Sequence, residues 1–91
     1  MIKSKNISRK ILAINVRYLR FEKGWSQEEL GHRANISATS ISQIEKARCN
    51  TGIDYVDSLS FAFNLESPDL LIKDHGYKEI KKSRIDSRIK K

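Results

Sequence analysis

Residues 26–47 read SQEELGHRANISATSISQIEKA. The stretch holds two short amphipathic segments, each opening on a serine, with three residues between them. Ser26 followed by Glu29 has the spacing of a capping box, in which each side chain satisfies a first-turn backbone N–H. Leu30 and Ala34 form the apolar side of this segment, and Asn35 tolerates the left-handed conformation that ends a helix. Ser37 caps the next segment, which turns about Ile41 and Ile44. The link Asn35-Ile36-Ser37 is too short for antiparallel packing, so Ile36 is expected to point inward with Leu30, Ala34, Ile41 and Ile44. Two helices crossing steeply over one apolar patch form a helix-turn-helix.

The flanking chain supplies the rest of an all-α domain. A first segment, from about Ser8 to Lys23, carries Leu12, Val16 and Leu19 at i, i+4 and i+7, with Ser8 as expected N-cap and Gly24 as stop. A fourth, Ile53 to about Asn64, presents Val56, Leu59 and Phe63. A fifth opens on Ser67-Pro68-Asp69, a cap, a proline where its missing N–H costs nothing, and an acid at the positive helix end. The expected architecture is five short helices over residues 9–72, between a basic arm (1–8) and a basic tail (73–91). Gly31 is expected to admit the close approach of another helix, since a mid-helix glycine otherwise costs about 1 kcal/mol.

Charge is unevenly placed in these 91 residues, whose formal net charge is +7. Met1–Lys10 contributes +4 and Lys73–Lys91 contributes +5, whereas Ile11–Ile72 contributes −2. A polyanionic partner fits the two ends. The arm residues Lys3, Lys5, Arg9 and Lys10 either wrap onto phosphates or serve only solubility. In the tail Ile80, Ile85 and Ile89 make a ragged stripe, read either as a solvated tail or as an extra helix for dimer or DNA contact.

Several chemistries find no support. Cys49 is the single cysteine, and with His32 and His75 it cannot close a metal site. No nucleophile–base spacing or glycine-rich phosphate loop occurs, so neither an enzyme nor a cofactor is expected. Nor does any motif indicate a small-molecule effector. Ile11-Leu12-Ala13-Ile14, broken by Asn15, is too short for a membrane span. A cytoplasmic, reducing location is expected, on the nucleoid when the protein is bound to DNA.

Projecting the third segment at about 100° per residue places Thr39, Ser42, Gln43 and Lys46 opposite Ile41 and Ile44, with Ala38 at the border. That face carries no carboxylate, as entry into a major groove beside phosphates requires. Gln43 can bond an adenine edge, Thr39 and Ser42 can bond bases, and the methyls of Ala38 and Thr39 can touch a thymine methyl.

VRYLRFEKGWSQEELGHRANISATSISQIEKARCN (16–50) and IDYVDSLSFAFNL (53–65) resemble the Xre/Cro–CI helix-turn-helix family of bacterial and phage regulators. The resemblance implies a compact lambda-repressor-like fold whose third helix reads double-stranded DNA. It further implies that Gln27 bonds a phosphate and that Arg20 pairs with Glu45. Lys46 and Arg48 match backbone-touching positions, and Ser37, Asn50 and Thr51 are grouped with them as contacts that position without reading sequence. Arg17 and Lys23 are weaker candidates.

Departures from the family pattern stand at three positions. Ala47 replaces a usual glycine and disfavours a left-handed turn, so the following loop is expected to run differently. Gly31 replaces alanine. Ser60 replaces a buried alanine, and its hydroxyl is expected to bond back to a helix carbonyl.

One helix reads few bases, so a homodimer on a palindrome is expected, with half-sites about 10 base pairs apart or a multiple of that. Phe61, Leu70, Leu71 and Ile72 are the expected dimer surface, because Phe61 falls off its stripe and Leu70, Leu71 and Ile72 cannot all face inward; the alternative is that the tail covers them. The implied function is an autoregulatory transcription regulator, either a restriction–modification controller or a phage-type repressor. ISQIEKARCN (41–50) leans toward the controller type. An antitoxin that binds a toxin protein and controls its own operon is the alternative.

Overall fold

A computed structural model describes residues 7–77. Four α-helices follow one another: α1 (Ile7–Lys23), α2 (Gln27–Ala34), α3 (Ala38–Glu45) and α4 (Ile53–Ala62). The expected fifth helix is a correction. Pro68–Leu71 makes a single 3₁₀ turn and stops. Residues 1–6 and 78–91, with Lys3, Lys5 and the tail isoleucines, lie outside the described residues. Within them the chain from Lys73 to Tyr77 is irregular, and Tyr77 stacks on Tyr18 of α1 at 3.8 Å.

The serine halves of the expected caps form, but the reciprocal half of the capping box does not: the Glu29 carboxylate pairs with Arg33 at 2.7 Å instead of the Ser26 amide. Ser26 Oγ accepts from the Glu29 amide at 3.0 Å, and Ser37 Oγ accepts from the Ser40 amide at 3.1 Å. Ser8 does not cap α1, because the helix already includes Ile7 and Ser8.

Helix ends follow one rule throughout. After α1 the amides of Gly24 and Trp25 return to the carbonyls of Phe21 and Arg20. Asn35 and Ile36, Ala47 and Arg48, and Asn64 and Leu65 repeat that pattern after α2, α3 and α4. Each is a Schellman cap, which needs one left-handed residue, and the four are Gly24, Asn35, Ala47 and Asn64, with φ between 56° and 71°. Ala47 thus corrects the expectation of a rerouted loop: the alanine takes up the left-handed turn that it disfavours. Its strain, roughly 1–2 kcal/mol for an L-residue with a Cβ, exceeds the roughly 0.4–1 kcal/mol of unfolded-chain freedom that glycine would add. Ala47→Gly is therefore expected to raise stability by about 0.5–1 kcal/mol, read as a higher denaturant midpoint at unchanged slope.

The core gathers the inward stripes of every element. Val16, Leu30, Ile41, Ile44, Leu59 and Leu71 are fully buried, with Leu12, Ala34, Ile36 and Phe63 around them. Burying a side chain of this size contributes about 1.5–3 kcal/mol relative to leaving it in water. Gly31 serves the turn rather than another helix: a Cβ there would stand 2.4 Å from the Ile36 carbonyl oxygen. The Ile36 amide closes the same turn on the Gly31 carbonyl at 2.9 Å.

Buried side-chain nitrogens and oxygens are all partnered among the described residues. Asn15, facing inward from α1, donates from Nδ2 to the carbonyls of Leu71 at 2.6 Å and Lys73 at 2.9 Å. That pair of bonds fastens the 3₁₀ turn to α1. Ser60 Oγ donates to the Val56 carbonyl at 2.8 Å, the back-bond expected of it.

Candidate nucleic-acid interface

α3 is short, and its placement depends on what grips it. Its apolar side, Ile41 and Ile44, is buried. Glu45, in its last turn, is also buried, as is Arg20 of α1 opposite it. Arg20 Nε donates to Glu45 Oε2 at 2.6 Å and its Nη2 to Oε1 at 2.9 Å, a two-pronged pair. A third prong, Nη1, donates to the Trp25 carbonyl at 2.9 Å, in the link before α2. One guanidinium therefore joins α1, the entry to α2 and the end of α3. The planar fork suits this task in a way that an ammonium does not.

The opposite side of α3 is open. Thr39 is exposed, and Ala38, Ser42 and Gln43 are half-buried. Among the described residues no hydrogen bond engages the side chains of Thr39, Ser42 or Gln43. Their donors and acceptors are available to base edges. Glu45 is the only acid in α3, and its burial leaves the outward face without a carboxylate.

The phosphate candidates divide into two groups. Lys46, Arg48 and Asn50 are exposed in the loop that follows α3, with Thr51 half-buried behind them. Gln27 and Ser37 are already engaged. Gln27 donates from Nε2 to Glu45 Oε1 at 3.2 Å, and Ser37 Oγ meets both the Ser40 amide and, at 2.9 Å, the Ser40 hydroxyl. A side-chain amide has two N–H groups, so Gln27 retains one for another acceptor.

The expected dimer residues differ in exposure. Phe61 is 84% exposed on α4 and Ile72 is 42% exposed, while Leu70 is half-buried. Leu71 is a correction: it is 0% exposed. The Asn15 bonds to the carbonyls of Leu71 and Lys73 turn this stretch inward and seat Leu71 in the core.

Three internal contacts were not visible from residue type. Asn15 broke an apolar run in the sequence and gave no sign of its distant carbonyl partners. Arg17 donates from Nη2 to the main-chain carbonyl of Glu45. Arg9 donates from Nη2 to Asn50 Oδ1 at 2.8 Å. By type alone, both arginines read either as solvated or as able to meet a polyanion.

Comparison with known proteins agrees with this geometry. A helix-turn-helix family model matches residues 16–71. A Neisseria hypothetical transcription factor, from Neisseria meningitidis serogroup B (strain ATCC BAA-335 / MC58), is 30% identical over 80 residues, which span 88% of this chain and 76% of that protein. The crystal structure of the hypothetical transcription factor NHTF from Neisseria superposes with a TM-score of 0.70 at 31% identity, covering 75% of this chain and 77% of that one. With more than half of its length matched, the order of its helices and the grip on its third helix accounted for, the chain belongs to the helix-turn-helix family of Xre/Cro type.

Proposed function

We propose that the protein is a transcription regulator that binds double-stranded DNA as a homodimer, on a palindromic operator that includes its own promoter. The observation that carries this reading is the outward face of α3. It presents unengaged polar side chains and no carboxylate, on a helix fixed from behind by a buried ion pair. Thr39, Ser42 and Gln43, with the methyl of Ala38, would read base edges in the major groove. Lys46, Arg48 and Asn50, with Ser37 and the remaining N–H of Gln27, would fix the register on phosphates. Phe61 and Ile72, with the half-buried Leu70 beside them, are the candidates for contact between copies, because large apolar side chains this exposed are seldom left in water on a small domain. The similarity to a hypothetical transcription factor from Neisseria supports the regulatory part of the proposal.

Gln43 offers the sharpest check on direct readout. Gln43→Ala should relax preference at one base position in each half-site, at a cost of about 1–3 kcal/mol for the preferred base and nearly nothing for the others. Binding titrations against single-position operator variants measure this. Equal weakening across all variants would remove Gln43 from base reading and leave it a supporting role.

A further inference from the structure

The basic residues of α1 invite the assumption that they meet DNA directly. Their contacts indicate another role. Arg9, Arg17 and Arg20 fall at 0°, 80° and 20° around the helix at about 100° per residue, so they form one stripe. Each donates to the end of α3 or to the loop behind it. Arg20 takes the Glu45 carboxylate, Arg17 takes the Glu45 carbonyl, and Arg9 takes the Asn50 side-chain oxygen.

The segment they hold is intrinsically ill suited to its shape. The last carbonyls of a helix lack partners within it. In α3 the cap supplies them for Ser42, Gln43 and Ile44, through the amides of Lys46, Ala47 and Arg48. The Glu45 carbonyl receives Arg17, whose positive charge also suits the negative end of the helix. The cap itself turns on Ala47 at φ 56°, the one left-handed cap residue here that is neither glycine nor asparagine. A strained turn persists only where its surroundings over-determine it.

We infer that Arg17, assisted by Arg9, is a positioning residue for DNA binding: α1 acts as a splint that holds the strained loop Lys46–Asn50 in its phosphate-facing shape. The inference rests on the proposed phosphate role of Lys46, Arg48 and Asn50. It assigns Arg17 and Arg9 to the loop and not to the nucleic acid. The two roles differ in a measurable way, since removing a direct phosphate contact lowers the salt slope of binding by about one unit, whereas loosening the loop lowers affinity at nearly constant slope.

The test uses the full chain and the variants Arg17→Ala, Arg9→Ala and Arg17→Ala with Ala47→Gly. Two readouts are taken: amide hydrogen exchange at Ala47 and Arg48 without DNA, and affinity for the selected operator across a salt series. Arg17→Ala should speed exchange at both amides at least about fivefold relative to those in the middle of α1, which report global opening and so isolate the local effect at the cap. It should weaken operator binding about tenfold with the salt slope unchanged, and Arg9→Ala should act in the same direction but less. Ala47→Gly, which relieves the strain, should recover most of both losses. Unchanged exchange at Ala47 and Arg48, or a slope lower by about one unit, would overturn the inference. Failure of the wild-type chain to prefer any DNA site would count against the regulator proposal, while the exchange data would still decide whether Arg17 holds the loop.

Discussion

Glu45→Ala is expected to destabilise the domain by about 3–5 kcal/mol, because removing one member of a buried ion pair leaves the other charged and uncompensated. Arg20 is 4% exposed and Glu45 3%, so water cannot take the place of the lost partner without opening the core. Glu45 also receives Gln27 on its carboxylate and Arg17 on its carbonyl. Only the carboxylate contacts vanish in the alanine variant, which confines the effect to the side chain. The double variant Arg20→Met with Glu45→Leu should lose less than either single change, since apolar replacement of a whole buried pair is often near neutral. It should still lose about 1 kcal/mol, because the Trp25 carbonyl forfeits its Arg20 donor. Urea unfolding of Glu45→Ala, Arg20→Met, Glu45→Leu and the double variant measures this ordering, and a single variant milder than the double would show that the pair matters less than its geometry suggests.

Leu71→Ala should cost about 2–5 kcal/mol, the range for deleting a fully buried leucine and leaving a cavity. Its neighbour Ile72, at 42% exposed, should tolerate alanine within about 0.5 kcal/mol in the dilute chain. The contrast separates core from surface in a segment where both side chains are aliphatic. Unfolding measured over a range of protein concentrations distinguishes the two roles. A Leu71→Ala loss that disappeared on dilution would place Leu71 between copies of the chain instead of inside one.

Much of the fold was legible because its signals are local. Ser26 and Ser37 cap the helices that follow them within three residues, and Gly24 and Asn35 mark stops through their own backbone preference. The inward stripe of α3 needed only the spacing of Ile41 and Ile44. What failed depends on distant partners. Ser67-Pro68-Asp69 announces a helical start, yet nothing nearby says that it ends after one 3₁₀ turn. The inward set of Leu71 comes from Asn15, 56 positions earlier in the chain. Ala47 is left-handed against its own preference, because the caps on Ile44 and Gln43 and the arginine on Glu45 together outweigh it.

The same division holds for the candidate interface. The open face of α3 follows from helical periodicity, so Thr39, Ser42 and Gln43 could be placed from their numbers alone. Arginine is ambiguous by type, since a guanidinium can donate to a carbonyl, a carboxylate or a phosphate. Arg9 and Arg17 read as solvated or DNA-facing until their partners, Asn50 and the Glu45 carbonyl, came into view.

Whether the protein reads DNA sequence as a symmetric dimer is decided by selecting bound duplexes from a random pool with the purified full chain at near-physiological salt. A dimeric regulator should enrich a two-fold symmetric site, with half-sites about 10 base pairs apart or a multiple of that. No enriched sequence, together with binding that vanishes as salt rises, would contradict it, since the basic ends alone would then account for all contact with DNA.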